Sequence, residues 1–541
     1  MAHETTSPPP ADPARLSPKP KPRRLLRKLL VLAASCFVAL LVCEGIVRGL
    51  DGYRILSFEL RRDAPPEAED PVHGVEAKAR IDALLAQAAR LPKVNPGWFT
   101  LDPPEVVRKA IDPVHARRAA EGRVAAVNAR HNLDYYRMVA ARGDLEDRLR
   151  VIFVGSPPRT LWTFRGPAGG QPHPAYRYPA NVTLPDGLTT NALGFRGAAV
   201  TVKKAPKTIR IACVGASTTV ASHHFPWSYP EFMQPWLQTW INKLGLDVRI
   251  EVVNAGRDAI RPDDLAAIVR YEVLPLDPDY VLYYEGANSF RPGNHVKLHD
   301  GAEFGEAPDD LVPTRSGEDA SGGLLSGLTD HSAIVRRLCE ISHRGRWSGD
   351  EPPKPRQEIV FPTGFDEGSP KLETVGDFLM LDNTLAALDG IRKDAESVGA
   401  RMIMTSYCFM VRDGLVLDLR KKHHRFLFAQ LNRMAWPSNY ANLRRLADVQ
   451  NRIFEIWAKD RGIDFIPVAD QMPLDPDLFL DVVHTTMLGT RLRAWCVFQG
   501  LIPILARDLE AGRVPRAPAT NPPPMWRPQF REVPFDTLRG K

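Results

Sequence analysis

The chain has 541 residues, a formal net charge of +7, 44% hydrophobic residues and six cysteines, which allows more than one domain and a sizeable buried core. The excess charge sits largely in the tails, with seven Lys/Arg against two acids in the first 28 residues. The core region has neither a basic helix nor aromatic–basic interleaving, so nothing points to nucleic acid as a partner. The scattered cysteines read as buried thiols and not as a disulfide framework.

Residues 1–24 contain seven prolines and are expected to form a disordered cytoplasmic tail. Residues 25–50 are apolar apart from Arg27, Lys28, Glu44 and Arg48 and read as a transmembrane anchor whose partner is the lipid bilayer. The uncharged centre, Leu29–Cys43, is short, but the turn beyond Glu44 brings it close to the ~20 residues a spanning helix needs. Its flanking cations can snorkel to the interface. A secretory signal peptide is the alternative, but no small-x-small cleavage site follows cleanly. A lipid-modified Cys36 is disfavoured because the apolar run continues past it. Arg23, Arg24, Arg27 and Lys28 crowd the N-terminal side, which places the N-terminus in the cytoplasm and the rest of the chain outside.

Residues 75–150 have helical spacing interrupted at Pro92–Gly97, and form a membrane-proximal helical region without recognisable chemistry. Residues 151–206 form a β-containing lead-in. From 207 to 511 strand and helix alternate. Strands are expected at Thr208–Val214, Val248–Val253, Asp279–Tyr284, Arg401–Tyr407 and Ile463–Val468. Helices are expected around Tyr229–Lys243, Pro262–Leu274, Thr384–Val398, Leu443–Arg461 and Met487–Ala511. Five such strands with crossover helices imply an α/β fold, a doubly wound parallel five-stranded sheet. Two insertions, 290–378 and 411–438, interrupt it; loops of that length are lids, binding loops or disorder, and the second is a candidate cap. Residues 512–541 are expected to be extended or disordered.

Three of these strands run into Gly215-Ala216-Ser217-Thr218-Thr219, Asn254-Ala255-Gly256 and Gly286-Ala287-Asn288, and Asp481-Val482-Val483-His484 precedes the last helix. Loops at the carboxyl ends of parallel strands converge on one crevice. A nucleophile, oxyanion donors and an oriented base would therefore meet there. The three-residue spacing lets the Asp481 carboxylate reach Nδ1 of His484 and leaves Nε2 for Ser217. Gly256 and Asn288 would join the Ser217 amide in an oxyanion hole. Singly, each piece has a plainer reading: a helix-capping turn for Ser217, a surface ion pair for Asp481 and His484, strand-end turns for Gly256 and Asn288. Those readings leave the ordered set unexplained. No Gly-x-Gly-x-x-Gly or phosphate loop is present, so no cofactor is expected. The adjacent pairs His223-His224 and His423-His424 lack metal-ligand spacing, so no metal is expected either. Trp227, Trp236 and Trp240 read as core packing.

In these four blocks, from about Lys207 to Ala511, the chain resembles the SGNH (GDSL-type) hydrolases. Ser217, Gly256, Asn288 and His484 fall on the residues that name the family, and Asp481 completes its Asp-x-x-His. Ala216 and Ser289 depart from the family wording, at positions outside those functions. Asn191-Ala192-Leu193-Gly194-Phe195-Arg196-Gly197 is similar to a flank of a membrane-anchored bacterial branch. The resemblance implies a flavodoxin-like fold and a serine esterase with catalytic Ser217, Asp481 and His484. It also implies the bacterial inner membrane as location, with a periplasmic or extracellular domain, and an O-acyl ester, such as acetyl, on a glycan or lipid as substrate. An O-acyltransferase on an envelope polysaccharide with the same triad, or an inactive glycan-binding scaffold, are the alternatives.

Overall fold

The computed structural model describes residues 22–50, 71–104, 188–221, 226–258, 260–289, 356–375, 381–418, 421–431 and 440–526, with short segments elsewhere. The expected tail up to residue 21, most of the helical stretch after 104, most of the first insertion and the end of the second lie outside these residues. The chain divides into two compact units, residues 1–70 with 319–351, and 71–318 with 352–541. The first insertion is therefore shared between the two.

In the first unit, α1 (Pro22–Leu50) contains a 19-residue stretch, Leu30–Arg48, of mean hydropathy 2.5. It is long and apolar enough to cross a membrane, and Leu30, Phe37, Leu41 and Ile46 are exposed along it. Glu44 and Arg48 pair with each other at 2.7 Å. Glu44 also accepts from the Ser332 hydroxyl (2.8 Å) and the Ala333 amide (2.7 Å), and Arg48 donates to the His331 carbonyl (2.6 Å). The two charges near the end of the apolar run are thus matched by a segment of the first insertion.

The second unit opens with α2 (Pro71–Ala88), followed by the antiparallel pair β1 (Leu149–Val154) and β2 (Thr160–Arg165). The main domain then alternates β3 (Thr208–Val214), α3 (Ser217–Val220), α4 (Tyr229–Lys243), β4 (Arg249–Asn254), α5 (Pro262–Ile268) and β5 (Tyr280–Tyr283). Within the insertion lie β6 (Val296–His299), β7 (Thr314–Arg315) and β8 (Arg356–Ile359). Then come α6 (Leu381–Ser397), β9 (Arg401–Thr405), β10 (Leu417–Asp418), α7 (Lys422–Ala429), α8 (Tyr440–Asp460), β11 (Asp464–Ile466), α9 (Met487–Glu510) and β12 (Phe530–Pro534).

Five strands form a parallel sheet in the order β11-β9-β5-β3-β4. Counting those five in sequence, this is the doubly wound 2-1-3-4-5 arrangement, with its switch point between β3 and β5. Both faces are covered, because side chains alternate across a strand. Ile209, Ile211, Tyr280, Leu282 and Ile403 face one core with Trp236 and Trp240 of α4 and Trp495 of α9. Ala212, Val214, Val281, Tyr283 and Met404 face the other, with α5, α6 and α8. The tryptophans of α4 are fully buried.

One expected helix differs. Pro262–Leu274 is α-helical only to Ile268, then widens into a π turn over Val269–Val273 and a 3-10 turn over Leu274–Leu276. Pro275 explains the break: it has no amide, and its ring excludes the carbonyl four residues back. That carbonyl, of Tyr271, accepts instead from the Trp526 amide at 3.2 Å.

The segment after α9 is held and not loose. Arg516 reaches Asp277 at 3.0 Å and the Val398 carbonyl at 2.7 Å, while β12 adds antiparallel to β2. Arg516 belongs to an ionic cluster at the amino-terminal edge of the sheet with Lys204, Arg210, Asp279 and Glu251. The opposite, carboxyl edge is left for chemistry.

Candidate active site

Ser217 begins α3 immediately beyond the Gly215-Ala216 turn after β3. A four-residue helix cannot satisfy its own last carbonyls, and side chains from three other segments do so. Arg493 donates to the Thr218 carbonyl (2.9 Å), Asn254 to that of Thr219 (2.8 Å), and Arg196 to that of Ala221 (2.6 Å), where the backbone turns left-handed. The Thr219 hydroxyl donates to the Tyr284 carbonyl (3.1 Å). Arg493 is itself buried, stacked over Tyr229 and Tyr284 at 5.4 and 5.2 Å. The serine thus sits on a rigid platform.

Across 267 residues of chain, His484 Nε2 lies 2.8 Å from Ser217 Oγ. Its Nδ1 is 2.7 Å from Asp481 Oδ2. The other Asp481 oxygen accepts from the Val483 amide (2.9 Å) and the His484 amide (2.7 Å), so the carboxylate is fixed before it orients the ring. Such a carboxylate only accepts, which puts the imidazole proton on Nδ1 and leaves Nε2 free to accept from the serine hydroxyl. The loop is set on α9 by the bridge between Phe479 and Thr485 and by the Thr486 cap, which accepts from Gly489.

Burial alone would raise the Asp481 carboxyl, but the charge and hydrogen bonds of His484 outweigh it and hold the group at about 2. Burial likewise opposes charge on His484, and Asp481 outweighs it, so the imidazole is raised above its ordinary 6.5. Both side chains retain about a quarter of their exposure (24% and 27%), so the dyad is reachable from solvent.

Gly256 and Asn288 lie just past the ends of β4 and β5, the strands flanking β3, one on each side of the nucleophile turn. The Gly256 amide already donates to Asn254 Oδ1 at 3.0 Å, so it can meet an oxyanion only as a shared donor. Glycine is needed at 256 for packing. A Cβ there would stand 2.4 Å from the Val220 nitrogen and 2.9 Å from Thr219; the space is taken by α3 and not by substrate. Asn288 is half-buried, and its amide donates to Glu285 Oε1 at 2.7 Å.

Sequence reasoning gave no role to Glu285, Asn254, Arg196 or Arg493. Asn254 opens Asn254-Ala255-Gly256, Glu285 adjoins Gly286-Ala287-Asn288, and Arg196 sits inside Gly194-Phe195-Arg196-Gly197; what they hold emerges only in three dimensions. It also passed over the use of His423 and His424. The His424 Nδ1 accepts from the Asp418 amide (2.9 Å), so its Nε2 carries the proton to Asp477 Oδ1 (2.8 Å). His423 Nε2 donates to the Phe479 carbonyl (2.6 Å). The second insertion thereby grips the loop that leads into Asp481. Among the described residues no cluster of three or more His, Cys, Asp or Glu could hold a metal.

No family model matches the chain, and no curated protein matches it. Solved structures with a similar arrangement include a GDSL-like lipase from Bacteroides thetaiotaomicron, 13% identical, covering 56% of this chain and 92% of its own, with a TM-score of 0.27. An acetylxylan esterase from Geobacillus stearothermophilus is 14% identical and covers 54% and 94%, with a TM-score of 0.29.

Proposed function

We propose that this chain is a membrane-anchored serine esterase of the SGNH type, cleaving an O-acyl ester, acetyl above all, on a glycan or lipid outside the cytoplasm. The observation that carries the reading is the continuous relay Ser217–His484–Asp481, at 2.8 and 2.7 Å, at the switch point of a doubly wound sheet. Ser217 Oγ attacks the acyl carbonyl as His484 Nε2 takes its proton, and Asp481 stabilises the imidazolium. The amide of Ser217, the Asn288 side chain and the shared Gly256 amide face the oxyanion. Collapse breaks the ester C–O bond, and His484 returns the proton to the departing alkoxide. A water molecule then repeats the sequence on the acyl-enzyme, freeing the acid and Ser217. The apolar, exposed stretch of α1 supports the anchor, and the basic residues in the first turns of α1, ahead of that stretch, support a cytoplasmic N-terminus.

The test uses the full chain with a fluorophosphonate probe and 4-nitrophenyl acetate. Wild type should label and hydrolyse, and Ser217→Ala should do neither. If the two are indistinguishable in both assays, the esterase reading fails. Labelling with slow hydrolysis that accelerates with an added sugar acceptor would shift the reading to acyl transfer.

A further inference from the structure

Among the described residues, Glu285 is the carboxylate that touches both sides of the site without belonging to the triad. It lies two residues past β5, is 1% exposed, and has no cation among its hydrogen-bond partners in the described residues. Its Oε2 accepts from the amide of Ala216, the residue before the nucleophile, at 3.1 Å. Its Oε1 accepts from the amide of Asn288 at 2.7 Å. One side chain therefore ties the turn after β3 to the turn after β5, the two turns that must keep Ser217 and the oxyanion donor in register. Resting on the esterase reading above, we infer that Glu285 is a positioning residue that locks the nucleophile turn to the Asn288 turn.

Both partners of the carboxylate are donors, and an ionised carboxylate offers only acceptors, so the match is complete. A protonated carboxyl or an amide turns one acceptor into a donor facing an N–H, and one turn must swing away. Burial raises the carboxyl to about 7, against the pull of the Asn288, Ala216 and Gly286 amides. The titratable groups facing it are His484 from the loop before α9, Tyr407 beyond β9, and Tyr283 on its own strand. A misplacement on the order of 1 Å at such a site costs roughly 100-fold in rate.

The experiment compares wild type, Glu285→Gln and Glu285→Asp in the full chain with 4-nitrophenyl acetate, with rates normalised to sites titrated by fluorophosphonate. Glu285→Gln should lower kcat per titrated site about 100-fold with KM within about twofold, and Glu285→Asp, too short to span both turns, should also lose kcat. A merely structural role would reduce the number of titratable sites and leave kcat per site alone; kcat within threefold of wild type overturns the inference. If neither variant folds, Glu285 serves the fold and not the placement of Ser217, and the inference is overturned. If wild type neither labels nor hydrolyses, the esterase reading falls and this inference with it; a working wild type matched by Glu285→Gln removes the inference alone.

Discussion

Replacing Asp481 by Asn should disable the site while leaving its shape almost untouched. Asp481 is held at about 2 against an ordinary 3.8, a gap worth roughly 2 kcal/mol of dyad stabilisation at about 1.4 kcal/mol per pH unit. The larger effect is tautomeric. The Val483 and His484 amides hold Oδ1 as an acceptor, so the Asn nitrogen must occupy the Oδ2 position and donate to His484 Nδ1. The ring proton is then forced onto Nε2, which faces Ser217 as a donor and cannot accept its hydrogen. A locked wrong tautomer costs about 10⁴ in kcat. Steady-state hydrolysis of 4-nitrophenyl acetate and the rate of fluorophosphonate labelling should both fall on that scale, with KM little changed. A kcat within tenfold of wild type would refute the assignment of Asp481 as the orienting group.

The rate should rise with pH, because His484 acts only when neutral, and the acid limb should lie above the ordinary 6.5 and move down in Asp481→Asn. The same raised group stabilises the fold below 6.5 and ceases to as pH rises through its folded value, which urea unfolding at a series of pH values would record. Glu285, raised from 4.5 to about 7, costs stability as pH climbs across that window, reaching roughly 3 kcal/mol once fully ionised. Glu285→Gln should therefore unfold at higher urea than wild type at pH 8.5 and at nearly the same urea at pH 5; a uniformly weaker variant would contradict this. Gly256→Ala would drive a Cβ to 2.4 Å from the Val220 backbone nitrogen, and overpacking of this kind costs about 1–3 kcal/mol. Thermal unfolding should show a lower Tm together with slower labelling of Ser217, and an unchanged Tm would mean that α3 yields freely.

The alternation of strand and helix was legible in the residues alone, because buried parallel strands are short apolar runs and right-handed crossovers between them imply a doubly wound sheet. The meeting of Ser217, Asp481 and His484 was legible there too, because each sits at a strand or helix end where loops of such a sheet converge. Tertiary structure alone decided how the serine is held. The Arg196, Asn254 and Arg493 hydrogen bonds to the α3 carbonyls join residues 25 to 275 positions apart, and no local spacing encodes them. It alone decided what Gly256 makes room for, since the atoms that fill that space belong to α3. It placed Glu285 too: a carboxylate after a strand reads as solvated until the Ala216 and Asn288 amides are seen to close on it. Periodicity reports which face of an element is buried, whereas a hydrogen bond between distant turns exists only once the sheet has brought their strands side by side.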